Sequence, residues 1–331
     1  MSSLRKDVLA RKGLPTVSED GSNVAAGTVP STSKGLRRGT MMDVTPLEWN
    51  EFFDRKLSLN VSDGVFCVYT KGDVGPIFYM LHGGGYSGLT WAAVTEKLSS
   101  QLQCRIVAPD LRGHGDTITT DEQDLSTERQ TEDIVEIHKN ICAGEATPTF
   151  IIGHSMGGAL AVHVAASGRL KTVIGIAVID VVEGTAMEAL TTMKHFLKSR
   201  PQKFGSVGEW CCKSGTAKNS RAARVSMPAQ IKKTGDLYTW RIDLSKTEPH
   251  WIGWFKGLSK LFLGCRVPKL LVLAGIDRLD TDLIVGQMQG KFQETILPKA
   301  GHAVQEDSPE DLADTLAGFA FRNRFCRPAD F

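Results

Sequence analysis

Thr149-Phe150-Ile151-Ile152-Gly153-His154-Ser155-Met156-Gly157-Gly158 is the stretch on which the reading of this chain turns. Phe150 to Ile152 is a short apolar run of the kind that forms a buried strand. Gly153 to Gly157 fits G-x-S-x-G, and a helical run from Ala159 to Ala166 follows. Strand, sharp turn and helix together are the context of a nucleophile elbow, in which the turn strains the serine and exposes its hydroxyl. Glycines at 153 and 157 leave room where a Cβ would collide with the crowded turn. The competing reading is a Gly/Ser loop between two core elements; the strand before and the small-residue helix after favour the elbow.

Outward from the elbow, strands and helices alternate. Gly64–Thr70 and Arg105–Pro109 read as strands, and Pro76–Leu81 as an apolar strand running into His82-Gly83-Gly84-Gly85. Three glycines there let the backbone pass close to an oxyanion forming beside Ser155. Leu125–Ile141 has the apolar spacing of an amphipathic helix. Thr172–Ile179 is a branched, buried strand ending at Asp180, Pro268–Ala274 is another, followed by Asp277 and Asp280, and Phe292–Leu297 leads to Gly301-His302. The pattern predicts a mostly parallel sheet with helices on both faces, so that His82, Ser155, Asp180, Asp277 and His302 gather beyond the carboxyl ends of the strands. Between about 185 and 264 the alternation breaks. That segment, with Trp210, Trp240, Trp251, Trp254 and Phe255, reads as a helical cap with no convincing strand series.

Bulk composition narrows the functional classes. The net charge of +2 is uneven: residues 1–40 carry +4 and the remainder −2. A near-neutral body argues against nucleic acid as the main partner. Residues 1–40 read as a disordered basic tail and 41–331 as the folded domain with its cap. Seven cysteines without a C-x-x-C pair read as reduced thiols of a cytoplasmic or nuclear protein. No apolar run has the length of a membrane span and no secretory signal is visible. Neither a metal-ligand pattern nor a cofactor motif is present.

A serine hydroxyl is a weak nucleophile at neutral pH and needs an imidazole base, itself held by a carboxylate. In the α/β-hydrolase order serine comes first, then the acid, then the histidine. Ser155, an aspartate and His302 satisfy that order. Asp277 and Asp180 each follow a strand that could deliver the acid, and spacing leaves the choice open. The oxyanion donors expected are the backbone N–H of Met156 and of the Gly84-Gly85 region. His154 is expected to orient the turn, and His114 to be a structural loop histidine.

Several longer stretches resemble the protein phosphatase methylesterase family. They are Leu81–Gly85, Gly153–Ala159, Ile179-Asp180-Val181-Val182-Glu183-Gly184-Thr185-Ala186-Met187, Trp251–Phe262, Leu271–Asp280, Gly286-Gln287-Met288-Gln289-Gly290-Lys291-Phe292 and Gly301–Val304. The resemblance runs from about residue 45 to the C-terminus. It implies a serine esterase that removes the methyl group from the C-terminal leucine methyl ester of the type 2A protein phosphatase catalytic subunit. It also implies that Asp180 is the acid and Asp277 a supporting residue. Two other functions fit subsets of the residues: a generic hydrolase of small esters, and a module that binds and restrains the phosphatase through its aromatic-rich cap.

Overall fold

The computed structural model describes residues 44–208, 219–275 and 279–329; the basic tail therefore lies outside the described residues. β1 (Arg55–Val61) and β2 (Gly64–Lys71) form an antiparallel hairpin, and β2 pairs antiparallel with β4 (Arg105–Pro109). From there the sheet is parallel through β3 (Ile77–Leu81), β6 (Thr149–His154), β7 (Val173–Ile179), β11 (Lys269–Leu273) and β12 (Gln293–Ile296). The strand order is β1-β2-β4-β3-β6-β7-β11-β12, with the short β5 (Ile118–Thr119) added to β2.

The parallel strands are apolar along their length because helices cover both faces. Every residue of β3, β6 and β11 is buried. On one face Ile151 and Ile176 pack with Leu160 of the helix Met156–Ser167 and with Trp251, Trp254 and Phe255. On the other, Phe150 stacks on Phe319 of the helix Pro309–Arg322, ring centroids 5.5 Å apart, beside Trp91 and Leu98. Each such fully buried side chain contributes roughly 1.5–3 kcal/mol. The result is a stiff platform whose parallel strands all end on one rim.

The insertion between β7 and β11 departs from expectation. It holds the helices Glu183–Ser199, Ser220–Ser226, Glu248–Phe255 and Leu258–Gly264, but also an antiparallel sheet in the order β8-β10-β9. Its strands are β8 (Lys203–Phe204), β9 (Ile231–Thr234) and β10 (Leu237–Trp240). Thr234 pairs with Leu237 across Gly235-Asp236, and Gly235 sits at φ +64. A two-residue Gly-Asp loop with positive φ is a hairpin connection that glycine makes without strain. A strand series was therefore present where only helices were expected. The aromatics of the insertion also divide. Trp251, Trp254 and Phe255 belong to the main core, with the Trp251 indole N–H donating to Thr247 Oγ1 and that of Trp254 to the Leu125 carbonyl. Trp240 stays on the small sheet against Phe204.

Candidate active site

Ser155 follows β6 directly and has φ +51, ψ −119, a conformation costly for any residue with a side chain. Two glycines make the turn possible. A Cβ on Gly153 would lie 2.1 Å from the Gly157 carbonyl oxygen, and one on Gly157 would lie 2.3 Å from that of Leu81. The Ser155 N–H donates to the Ile179 carbonyl, and the Ser155 carbonyl accepts from Gly158 and Ala159. The backbone is therefore tied on both sides of the strain. Met156 begins the following helix, whose first N–H groups have no partner within the helix and point toward whatever lies beside Ser155.

Asp180 follows β7 and shares the unusual geometry, with φ +51 and its N–H bonded to the Val272 carbonyl. Its Oδ1 accepts from the Ala274 N–H at 2.9 Å, and its Oδ2 lies 2.7 Å from His302 Nδ1. Burial acts to raise its pKa, but the His302 hydrogen bond and charge and the Ala274 donor outweigh it, holding the carboxyl below the ordinary range. A carboxylate can only accept, so Nδ1 carries the proton and Nε2 is left as the basic nitrogen of His302. Asp180 is 10 % exposed and His302 58 %, which leaves the imidazole open to a substrate.

His302 is also tied to the elbow through its backbone. His154 Nε2 lies 2.7 Å from the His302 carbonyl oxygen. A carbonyl accepts only, which fixes His154 as the Nε2–H tautomer. Its Nδ1 then accepts from Gln305 Nε2, at 3.4 Å; Gln305 also donates to Thr90 Oγ1, and Thr90 donates to Glu306 Oε1 at 2.6 Å. His154, Gln305, Thr90 and Glu306 are all buried. Burial, helped by the neighbouring His302, pushes His154 down to about 3, so it is neutral at working pH. Gly83 is required beside it, because a Cβ there would come within 2.7 Å of His154 Nδ1.

The structure thus brings Asp180 and His302 into contact and ties them to the residues flanking the elbow, His302 through His154 and Asp180 through Ile179, whose carbonyl accepts from the Ser155 N–H. Among the described residues no hydrogen bond joins the Ser155 hydroxyl to His302. In unliganded sites this link is often long and tightens with substrate bound. Gly84 lies beside Met156, with the Met156 sulfur 3.9 Å from where a Gly84 Cβ would be. Gly85 differs: its N–H donates to His114 Nε2 at 2.9 Å and is already committed. His114 Nδ1 in turn donates to the Arg112 carbonyl, and burial lowers the imidazole to about 4. Of the two glycine donors expected, only Gly84 keeps a free hand. His114 is structural, as expected, but its work is to hold the glycine loop. Asp277 lies outside the described residues. Gln305, Thr90 and Glu306 were not anticipated, since no local motif marks them.

One cavity, of about 340 Å³ and bordered by Lys260, Leu263, Asp282 and Lys291, lies apart from this constellation and shares no residue with it. Among the described residues no group of His, Cys, Asp and Glu is arranged to hold a metal.

Residues 78–315 match the model of the alpha/beta hydrolase family. The chain is 57 % identical over 305 residues to a Caenorhabditis elegans protein named "Probable protein phosphatase methylesterase 1", covering 91 % of this chain and 83 % of that one. It is 43 % identical over 354 aligned positions to protein phosphatase methylesterase 1 of Homo sapiens, covering 92 % of each. The chain belongs to the protein phosphatase methylesterase family. It is accordingly a hydrolase of methyl esters on an α/β-hydrolase fold. Solved structures repeat the fold at low identity. The thioesterase domain from the curacin biosynthetic pathway has a TM-score of 0.62 at 22 % identity, covering 79 % of this chain and 98 % of that one. E-2-(acetamidomethylene)succinate hydrolase has a TM-score of 0.65 at 20 % identity, covering 81 % and 100 %. The match to the methylesterases takes in the insertion as well as the platform. No helix among the described residues is long and apolar enough to cross a membrane.

Proposed function

We propose that Ser155, His302 and Asp180 are the catalytic triad of this methylesterase. Its substrate is the C-terminal leucine methyl ester of a type 2A protein phosphatase catalytic subunit. The observation that carries the triad is the 2.7 Å contact of His302 Nδ1 with Asp180 Oδ2 beside a serine at φ +51. The substrate rests on the names of the relatives and on the long matching stretches around Asp180 and Gln287.

Ser155 Oγ attacks the ester carbonyl carbon while His302 Nε2 takes the hydroxyl proton. The tetrahedral oxyanion accepts from the N–H groups of Met156 and Gly84; each such donor contributes roughly 3–4 kcal/mol of transition-state stabilisation. Collapse breaks the bond to methoxide, which receives the proton from His302 and leaves as methanol. Water then gives a proton to His302 and attacks the acyl-enzyme; collapse breaks the Ser155 Oγ–acyl bond, Oγ takes the proton back from His302, and the leucine carboxylic acid is released and ionises to its carboxylate. Asp180 stays ionised throughout and supports the imidazolium.

The folded unit is residues 41–331, with the insertion at about 185–264 forming the wall over the strand ends. Cytoplasm or nucleus is the compartment that suits the reduced thiols; the five cysteines among the described residues are all unpaired.

The test mixes the purified chain with methylated phosphatase and follows C-terminal methylation. Loss of the methyl group with wild type, and none with Ser155→Ala, is the expected result. Unchanged methylation with wild type, or full activity in Ser155→Ala, contradicts the reading. Faster turnover of short acyl esters than of the phosphatase would point to the generic hydrolase instead.

A further inference from the structure

The insertion holds a charge that the triad chemistry does not use. Arg200 ends the helix Glu183–Ser199, and its guanidinium carbon lies 3.6 Å from the centre of the Trp240 ring. The shelf beneath it is firm: Trp240 Nε1 donates to the Pro201 carbonyl, Phe204 meets the indole edge-on at 5.5 Å, and Gln202 donates to the Arg200 carbonyl. Arg200 is largely shielded from solvent, yet among the described residues no carboxylate pairs with it. Desolvation pulls its pKa below the ordinary value, and the nearby Tyr86 phenol only partly opposes this. A desolvated, unpaired cation is costly, and folded proteins seldom keep one without an anion to meet it.

Its surroundings point to the reaction site. Tyr86 follows Gly84-Gly85 in the oxyanion loop, and its ring packs edge-on against His154 of the elbow at 5.7 Å. Leu244, four residues beyond Trp240, lies over the same two glycines, 3.1 Å from where a Gly85 Cβ would be. Tyr86 and Leu244 therefore connect the stacked guanidinium and its small sheet to the glycine loop and the elbow that carries Ser155. The acidic groups near Tyr86 do not neutralise Arg200. The Asp307 carboxylate accepts from the Gly301 N–H, and Glu306 is buried against Thr90.

Building on the methylesterase reading, we propose that Arg200, stacked on Trp240 beside Tyr86, receives a carboxylate of the substrate peptide. A guanidinium fork held flat on an indole is preorganised for that group, whereas an ammonium would be a point charge without the stack. The methyl ester itself is neutral. The carboxylate comes either from an acidic side chain upstream of the esterified residue or from the terminus that hydrolysis liberates.

Three matched peptides ending in leucine separate these sources: an acidic peptide methyl ester, the same ester with each acid replaced by its amide, and the amide peptide as free acid. Dissociation constants are measured on Ser155→Ala, alone and combined with Arg200→Met or Arg200→Lys, and KM and kcat on the corresponding active proteins. If the side chain is the ligand, the acidic ester binds about tenfold tighter than the neutral ester. If the product terminus is the ligand, the neutral free acid shows that advantage instead. In either case Arg200→Met abolishes the difference, Arg200→Lys keeps part of it, and kcat on the neutral ester is unchanged. Equal binding of all three peptides with Arg200 present overturns the proposal, as does discrimination that survives Arg200→Met. Failure of wild type to hydrolyse any ester would sink the methylesterase reading alone, since the binding arms report on Arg200 without turnover.

Discussion

The rim around Ser155 and the insertion above it are built differently. At the rim most polar groups are satisfied before any substrate arrives: Asp180 by Ala274 and His302, the His302 carbonyl by His154, Gly85 by His114. In the insertion the helix Glu183–Ser199 buries only Leu197, and Arg200 has an aromatic shelf but no carboxylate partner among the described residues. The rim hangs from the ends of buried strands, which hold its strained residues in place. Among the described residues the small sheet of the insertion rests on a smaller cluster, Phe204, Ala223, Met227 and Ile231, with Val207, Tyr238 and Trp240 packed against it. On the proposed function, this contrast suits chemistry at the rim and choice of substrate in the insertion.

If the rim is the chemical half, substitutions there should lower kcat and leave KM nearly alone. The largest effect expected is for Asp180→Asn, which keeps the shape but favours the wrong His302 tautomer and should reduce kcat on the order of 10⁴-fold. Asp277→Asn should stay within about tenfold. Steady-state demethylation rates compare the two, and a reversed ranking would move the acid to Asp277 and break the rim as described. Next comes His154→Phe. It keeps a ring against Tyr86 but loses the donor to the His302 carbonyl, so that His302 drifts; about 10² in kcat is expected. His154→Gln, whose amide can still donate, should recover part of that loss. A KM effect without a kcat effect would show that His154 serves the insertion and not the rim.

The last effect falls on stability and leaves the rate alone. Burial, opposed by the Thr90 hydrogen bond, pushes Glu306 up to about 7. Its folded pKa lies above its unfolded one, so the folded state binds the proton more tightly. The contribution is fully present below about pH 4.5 and is lost as pH rises toward about 7, to a maximum of about 3 kcal/mol. Glu306→Gln should flatten that decline. Denaturant midpoints at acid and mildly alkaline pH measure it, and an unchanged slope in the variant would remove Glu306 as the cause.

Much of the platform was legible because both-face burial writes itself into the chain as uninterrupted apolar runs. The strands expected at 76–81, 105–109, 172–179 and 268–274 correspond closely to β3, β4, β7 and β11. β1 was missed although Leu57, Leu59 and Val61 alternate with polar residues, a half-buried edge pattern weaker than a continuous run. The β9–β10 hairpin was missed although Gly235-Asp236 marked it. The supporting shell of the rim is a different case. His154 meets a carbonyl 148 positions along the chain, and Gln305 meets Thr90 across 215. Such partners are chosen by the fold, and no local spacing announces them. The choice between Asp180 and Asp277 was equally invisible to spacing, because both follow adjacent parallel strands; family resemblance, not geometry, pointed to Asp180.

The central claim is that Ser155 is made nucleophilic through His302 and Asp180. A fluorophosphonate probe reports this without the phosphatase: it phosphonylates an activated serine, and peptide mass spectrometry locates the adduct. The account predicts rapid labelling at Ser155 in wild type and, in Asp180→Asn, labelling at the same residue slowed by at least about 10³-fold. An adduct on another serine, or equal rates at Ser155 in the two proteins, would contradict it.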